Sequence, residues 1–259
     1  MSKKVFAIIP ARMASTRFPN KPLVKILGLP MIEHVRRRAL LAKGVDDVIV
    51  ATCDQVIIGA VHSYGGKAIL TSDQHERASE RAAEAMTHFS ADVVAVVQGD
   101  EPTLSPTDVE MVIAPLIERD DLECVSLLSP LNEPDFHNPN IVKAACDQHG
   151  RIMYFSRAPI PYLQKNGIAC PIYRETGIRA FRADFLQTYW RLPTTPFERT
   201  EAVDMMRVLE NGYRILGVPV AYTTMGVDHP EDVPLVEQAI QADPIQRELY
   251  EHTLKLGAA

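Results

Sequence analysis

Three cationic side chains follow the first apolar run of the chain at close spacing. Val5–Ile9 is short and rich in branched residues, which predicts a buried strand, and Arg12, Arg17 and Lys21 come soon after it. Prolines at positions 10, 19 and 22 restrict the backbone around these cations, so an ordered loop is expected. Guanidinium and ammonium groups at the carboxyl end of a first strand suit phosphate oxygens. The segment predicts a phosphate-binding loop, with a solvated basic loop as the alternative.

Two aspartates are candidate ligands for a divalent cation. Asp100 follows the predicted buried strand Asp92–Val97, and the neighbouring Gly99 allows a ligand to approach the backbone. Magnesium usually takes one or two carboxylates together with substrate phosphates, a set that Asp100 and Asp228 would suit. Each also has a structural alternative: Asp100 as a turn residue, and Asp228 as the N-cap of a helix that begins at Pro230.

Four groups of motifs, spread over residues 4–240, carry a resemblance to a known family. They read IIPARMASTRFPNKPL at 8–23, VQGDEP at 97–102, NPN and VK at 138–143 with YFSRA at 154–158, and GVDHPED at 226–232. In type and order they resemble the motifs of the sugar-acid cytidylyltransferases, specifically the CMP-KDO synthetases (3-deoxy-manno-octulosonate cytidylyltransferases). The first segment contains neither a Walker A motif nor G-x-G-x-x-G.

The resemblance implies an enzyme that transfers CMP from CTP to a KDO-like sugar acid and releases pyrophosphate. It assigns Asp100 and Asp228 to Mg²⁺, and it implies that Lys21 and Arg12 hold the triphosphate. These four residues are the predicted catalytic set. A second Mg²⁺ is expected by analogy with two-metal sites. The predicted CTP-binding residues are Pro10, Ala11, Arg12, Arg17, Lys21, Ser79, Arg81 and Gln98. The predicted acceptor-binding residues are Gln98, Arg157, Glu175, Arg179, Glu198 and Glu201.

The chain departs from the family pattern near the predicted acceptor site. In the family motif K-H-x-G-I-Y-x-Y, Glu175 of this chain replaces the histidine and Arg179 replaces the first tyrosine. In a second motif, the residues RAS at 77–79 replace the family's Ser-Gly-Thr. Glu175 favours an acceptor with an amino group, whereas Arg179 and Arg77 favour an additional anion, such as a phosphonate or a second carboxylate. Because residues four apart on a strand share a face, Glu175 and Arg179 are expected to contact one ligand. KDO is then expected to be a poorer acceptor than an acid of these kinds.

Further polar residues complete the predicted site. Glu198 and Glu201 match the family's P-L-E-x-x-E pattern, with Asp204 in place of a further glutamate, and are expected to receive sugar hydroxyls or a cationic group. Arg81 matches a family arginine and is expected against the nucleotide; a cation exposed on a helix surface is the alternative. The histidines show no partner that indicates general-base catalysis and are expected to be structural or solvated.

The elements that must position these residues alternate in the first half of the chain. This order predicts an α/β fold with a doubly wound, mostly parallel sheet, a Rossmann variant like that of the nucleotide-diphospho-sugar transferases. The predicted strands are Val5–Ile9, Asp47–Thr52, Lys67–Leu70, Asp92–Val97 and Glu123–Leu128. The predicted helices are Met31–Lys43, Gln55–His62, Arg77–His88 and Ser105–Arg119.

Residues 130–190 break this alternation and predict a small antiparallel subregion within a single domain, 1–259. In the family this subregion carries dimer contacts and part of the acceptor pocket, so a homodimer is expected. Its predicted elements are a hairpin of Ile141–Cys146 and Arg151–Phe155, a loop from Pro159 to Glu175, a strand Gly177–Phe181 and a helix Ala183–Trp190. The rest is predicted as a helix Glu198–Asn211, a strand Tyr213–Val220, a helix from Pro230 and a frayed tail from Ala242.

Composition and charge limit the partners. A chain of 259 residues with 46% hydrophobic content can bury one sizeable core. The net charge of -6 argues against nucleic acid or an anionic membrane as the main partner. The sequence shows no leader pattern and no apolar run of about 18 residues. Its four scattered cysteines predict reduced thiols, so a cytoplasmic location is expected.

Two other functions stay open on the residues alone. An NDP-sugar pyrophosphorylase would share the sheet, but its usual G-x-G-T-R loop is missing. A nucleotide-binding regulator without acceptor chemistry is compatible with the changes at positions 77, 175 and 179, although Asp100 and Asp228 argue against it.

Overall fold

One central sheet organises the residues that the computed structural model describes, which are 3–14, 18–162 and 171–256. The strands are β1 Val5–Ala11, β2 Lys25–Ile26, β3 Leu29–Pro30, β4 Asp47–Thr52, β5 Lys67–Leu70, β6 Val93–Val96, β7 Cys124–Pro130, β8 Lys143–Cys146, β9 Ile152–Ser156, β10 Tyr173–Arg182 and β11 Ile215–Pro219. The α-helices are α1 Met31–Leu40, α2 Gln55–Ser63, α3 Ala78–Ala85, α4 Pro106–Glu118, α5 Glu133–Phe136, α6 Ala183–Arg191, α7 Pro196–Glu201, α8 Met206–Glu210, α9 Asp232–Ala242 and α10 Pro244–Lys255.

Parallel pairing dominates this sheet, which confirms the predicted fold class. The order is β11-β7-β10-β6-β1-β4-β5, and every pair along it is parallel except those that β10 makes with β6 and β7. The predicted hairpin is confirmed as the antiparallel pair β8–β9, which joins the sheet at the start of β10. The predicted strand Gly177–Phe181 was too short: β10 already begins at Tyr173. It is a central strand of the main sheet and not part of a separate excursion, because its second half pairs on both sides.

Alternation along the strands builds a core on each face of the sheet. In β1, Val5 and Ile9 pack into one core and Phe6 and Ile8 into the other. Helices α1, α2 and α4 cover the first face, and α3, α6 and α8 cover the second. With both faces covered, polar ligands can reach the strands from the edge where their carboxyl ends lie.

The predicted helix Glu198–Asn211 is wrong, because the structure has two short helices, α7 and α8, in its place. Ala202 separates them in a left-handed conformation with φ 53°. The break directs Asp204 into the protein, where its carboxylate meets Arg179. The apolar spacing did not reveal the break because Met205 and Met206, which follow it, are still buried in the core.

The predicted frayed tail is also wrong. Asp243 caps the helix α10 by accepting hydrogen bonds from the backbone of Ile245 and Gln246. Buried arginines of α1 then hold that helix: Arg37 Nη1 donates to the Thr253 carbonyl at 2.8 Å, and Arg38 Nη1 donates to Gln246 Oε1 at 2.7 Å. In the part of the chain that the structure describes, no helix is long and apolar enough to cross a membrane.

Candidate functional site

A cavity of about 410 Å³ opens beside the carboxyl ends of β1 and β6. These strands are parallel neighbours, so the segments that follow them meet at one edge of the sheet. The cavity brings together many of the predicted CTP-binding and catalytic residues: Pro10, Ala11, Arg12, Lys21, Arg81, Gln98 and Asp100.

Lys21 joins the two candidate metal ligands. Its Nζ donates to Asp100 Oδ2 at 2.8 Å and to the Val227 carbonyl at 2.7 Å, and it lies 3.4 Å from Asp228 Oδ1. The Asp100 side chain is 30% exposed and that of Asp228 61%, whereas Lys21 is 14% exposed. Two carboxylates from distant parts of the chain therefore converge on one cationic group and remain accessible.

This donor set fits Mg²⁺. Both carboxylates contact the same ammonium group, at 2.8 and 3.4 Å, and one or two carboxylates are the usual protein contribution to a Mg²⁺ site. Within residues 3–14, 18–162 and 171–256, no cluster of three or more His, Cys, Asp or Glu side chains could hold a metal. Asp100 and Asp228 would thus hold the ion together with substrate phosphates and water, which is the usual ligand set of Mg²⁺.

The alternative role of Asp228 as a helix cap is wrong. The helix α9 begins at Asp232, and it is Asp232 Oδ2 that accepts hydrogen bonds from the backbone of Asp228 and His229, at 2.7 and 2.8 Å. The Asp228 carboxylate is directed towards Lys21 instead.

The cations of the first loop differ in their surroundings. Arg12, the first residue after β1, is exposed and lines the cavity. Its side chain makes no ion pair with another residue in the described ranges, so its guanidinium is available to a ligand. Arg17 lies outside the described residues.

Two predicted CTP-binding residues of α3 are buried. Arg81 Nη1 donates to Thr71 Oγ1 at 2.6 Å and to the Ser72 carbonyl at 2.9 Å, so the alternative of an exposed cation on the helix surface is wrong. Ser79 does not line the cavity, because its hydroxyl faces away and donates to Asp204 Oδ2 at 2.9 Å.

Gln98 connects the cavity to β10. A Cβ at Gly177 would lie 2.3 Å from Gln98 Nε2, so only glycine leaves room for this amide. The φ of +80° at Gly177 also requires glycine, and the strand register with β7 shifts between Glu175 and Arg179. The Gln98 side chain therefore lies between the cavity and the predicted acceptor residues.

Glu175, Arg179 and Asp204 form a buried ionic cluster. Arg179 Nη1 donates to Asp204 Oδ1 at 2.5 Å, and its Nη2 lies 3.1 Å from Glu175 Oε1. Burial alone would raise the pKa of Asp204, but Arg179 and the Ser79 hydroxyl hold it below its ordinary value. Burial raises the pKa of Glu175 despite the opposing effect of Arg179. None of the three residues lines the cavity, so their charges are directed at one another.

The other predicted acceptor residues are also paired within the protein. Glu198 is fully buried and accepts hydrogen bonds from Arg207 Nε and Nη2 at 2.7 and 2.6 Å. Glu201 Oε2 accepts from the backbone of Arg157 at 2.8 Å, and Arg157 Nε donates to the Glu201 carbonyl at 2.7 Å. These residues hold α7 and α8 against the sheet and lie outside the cavity lining.

His75 is a cavity residue that the structure pairs with a carboxylate, a contact that the sequence did not indicate. Its Nε2 contacts Glu84 Oε2, which also accepts a hydrogen bond from the Ser72 backbone at 2.9 Å, and Trp190 packs against the ring edge. A carboxylate on one ring nitrogen fixes the direction of the other. No local pattern relates a loop histidine to a glutamate on the following helix.

Glu101 is a buried carboxyl directly behind Asp100. Burial and the charge of Asp100 raise the pKa of Glu101 to about 8, so the group is neutral at pH 7. Its Oε2 has no hydrogen-bond partner among the residues described.

Comparison with known proteins identifies the family of this chain. The family model described as Cytidylyltransferase matches residues 6–215. The 3-deoxy-manno-octulosonate cytidylyltransferase of Geobacter metallireducens is 39% identical over 92% of this chain and 98% of its own length. That of Solibacter usitatus is 36% identical over 95% and 98%. A structure of CMP:2-keto-3-deoxy-manno-octonic acid synthetase complexed with CTP matches with a TM-score of 0.87 and 37% identity, over 92% of this chain and 99% of that one. The chain therefore belongs to the cytidylyltransferase family and is a nucleotidyltransferase related to the CMP-KDO synthetases.

Proposed function

We propose that this protein transfers CMP from CTP to a KDO-like sugar acid in a Mg²⁺-dependent reaction that releases pyrophosphate. The observation that carries the proposal is the convergence of Asp100 and Asp228 on Lys21, because Lys21 and Asp100 line the cavity together with Arg12 and Gln98. A related protein of matching fold binds CTP, which supports the cavity as the nucleotide site.

The residues divide the work of a direct displacement at the α-phosphorus. Arg12 and Lys21 would hold the triphosphate and offset its charge, and such a transfer needs no covalent intermediate. Asp100 and Asp228 would hold Mg²⁺, which when bound polarises phosphate oxygens and acidifies a neighbouring hydroxyl. Because Lys21 contacts both carboxylates, it keeps the triphosphate site and the metal site adjacent. Gln98 offers a donor and an acceptor where the cavity meets β10, which suits the sugar-acid side.

KDO or a close analogue is the acceptor that we propose, since the charges of Glu175 and Arg179 are used inside the protein. The two side chains pair with each other, and Arg179 also pairs with Asp204. Replacing a neutral pair by an oppositely charged pair adds no net charge. The main argument for an amino-substituted acceptor is thereby weakened.

One departure from the family still faces the cavity and favours a second candidate acceptor. Arg77 lines the cavity, its side chain is 25% exposed, and its Nε is 3.9 Å from Glu198 Oε1, too far for a hydrogen bond. An acid with an additional anion, such as a phosphonate or a second carboxylate, would match this guanidinium.

We also propose a homodimer, with contacts on the antiparallel side of the molecule. Exposed apolar side chains there support it: Tyr162 is 90% exposed, Met153 60% and Phe197 50%. Light scattering of the purified protein tests this proposal, and a monomer at micromolar concentration would refute it. The cytoplasmic location stays a prediction.

An acceptor screen tests the reaction. The protein is incubated with CTP and Mg²⁺ and with KDO, an amino-substituted KDO, an acid with an additional anion, or a sugar phosphate, and pyrophosphate and product masses are measured. CMP-KDO as the favoured product supports the main proposal. Preference for the doubly anionic acid supports the second candidate, whereas no CMP transfer to any acid refutes both.

A further inference from the structure

The hydroxyl of Thr103 makes two hydrogen bonds to one residue on a distant loop. It accepts from the Met225 backbone nitrogen at 2.9 Å and donates to the Met225 carbonyl at 3.0 Å. Thr103 itself is only 5% exposed. Both groups of the Met225 peptide backbone are therefore held by a single side chain.

These bonds fasten the loop that carries Asp228 to the loop that carries Asp100. Thr103 lies three residues after Asp100, and Met225 lies three residues before Asp228. Between them, the Val227 nitrogen donates to the Asp100 carbonyl at 2.9 Å. The two candidate metal ligands thus lie on segments that are joined directly behind them.

Thr103 is itself anchored by a second set of contacts. Its carbonyl accepts from Gln246 Nε2 at 3.0 Å, and Gln246 Oε1 accepts from the buried Arg38. The next residue, Leu104, is fully buried. The threonine is therefore a fixed point, and the 225–228 segment, which has no regular secondary structure, is positioned against it.

We propose that Thr103 is a positioning residue that holds Asp228 beside Asp100 and thereby sets the affinity of the site for divalent cations. This inference rests on the proposed Mg²⁺ site. The Asp228 side chain is 61% exposed, so its position depends on its contact with Lys21 and on the backbone that carries it. Residues that orient metal ligands typically change metal affinity or activity by about 10- to 100-fold when they are removed.

The experiment compares Thr103→Val, which keeps the shape and removes the hydroxyl, with Thr103→Ser, which restores it. In Thr103→Val the Mg²⁺ concentration for half-maximal rate is expected to rise by about 10-fold or more, and Thr103→Ser is expected to stay close to the parent. Binding of Mn²⁺ in the presence of a non-hydrolysable CTP analogue, followed by electron paramagnetic resonance, is expected to weaken in parallel. If Thr103→Val does not fold, Thr103→Ala carries the same test.

Thr253→Val is the matched control, because Thr253 is a buried threonine whose hydroxyl donates to the Tyr250 carbonyl at 2.7 Å within α10. It is expected to leave both metal readouts unchanged. The inference is overturned if Thr103→Val leaves half-saturation and Mn²⁺ binding unaltered, or if it weakens the use of Mg²⁺, CTP and acceptor equally. Asp100→Asn and Asp228→Asn distinguish failure of the Thr103 inference from failure of the proposed Mg²⁺ site. If neither variant alters Mn²⁺ binding, the metal site itself is misassigned.

Discussion

The cavity wall and the buried cluster around Arg179 use the same residue types in opposite ways. At the wall, Lys21 and Asp100 line the cavity and pair with each other, and Lys21 also contacts Asp228. The side chains of the two aspartates are 30% and 61% exposed, so an incoming ligand can share or replace these contacts. Around Arg179, the side chains of Glu175 and Asp204 are 8% and 11% exposed, so the charges must be balanced inside the protein. Exposure, more than residue type, separates groups that can bind substrate from groups that hold the fold.

The largest effect is expected at the two candidate metal ligands, where Asp100→Asn and Asp228→Asn should each abolish turnover. Each change removes one hard anionic ligand, and the isosteric amide should leave the fold intact. Turnover at saturating Mg²⁺ and the thermal unfolding curve check both parts. Asp121→Asn is the control, because Asp121 is an exposed carboxylate paired with Arg119 on the surface. Normal activity in Asp228→Asn would remove Asp228 from the metal site.

The buried cluster should respond in stability. Arg179→Met leaves Glu175 and Asp204 buried without their cation, and the free energy of unfolding is expected to fall by about 3–5 kcal/mol. Arg119→Met removes an exposed pair, and the fall in the free energy of unfolding is expected to be far smaller. Urea denaturation measures both values. Equal losses would mean that burial does not distinguish the two kinds of pair.

The same cluster predicts the outcome of restoring the family residues. The double change Glu175→His and Arg179→Tyr removes the cation of Asp204, so we expect a less stable protein and no simple shift of preference towards KDO. Relative kcat/KM for KDO and a doubly anionic acid, measured beside the unfolding curve, decides this point. A stable variant that gains activity on KDO would place Glu175 and Arg179 in the acceptor site.

A smaller effect is expected for the phosphate cations. Lys21→Ala and Arg12→Ala should each weaken CTP binding by about 1.5–3 kcal/mol, or roughly 10- to 150-fold, because a charge-assisted phosphate contact is lost. The KM for the acceptor should change far less. Steady-state kinetics with each substrate varied in turn provides the measurement. Equal weakening for both substrates would make the loop a structural element.

The smallest effect is expected at Glu101, the buried carboxyl behind the metal site. Its pKa is about 8 in the folded protein against 4.5 unfolded, so the folded state retains the proton between these values and stability falls as pH rises through this window. Glu101→Gln removes the titration and should raise the free energy of unfolding at pH 7, with no gain below pH 4.5. Urea denaturation of metal-free protein at the two pH values checks the sign. A gain that persists at the lower pH would point to packing instead.

Local sequence patterns predicted the parallel elements well and the second half of the chain less well. The strands Asp47–Thr52 and Lys67–Leu70 have the predicted bounds, because apolar runs between helical patterns are a local signal. The break at Ala202 and the helix α10 were missed, although Asp243 followed by proline is a recognisable helix start. Apolar spacing reports which face is buried and not whether the helix is continuous.

The sequence by itself determined that the residues after β1 and β6 reach the cavity edge, since the carboxyl ends of parallel strands share one edge and these residues must meet there. Only the tertiary structure decided how the charges pair: Asp228 with Lys21, Arg179 with Asp204, and His75 with Glu84. These partners come from separate elements, and their burial determines whether a charge is offered to a ligand or neutralised within the fold. Burial and pairing depend on packing across the whole chain, so no local pattern of residues contains them.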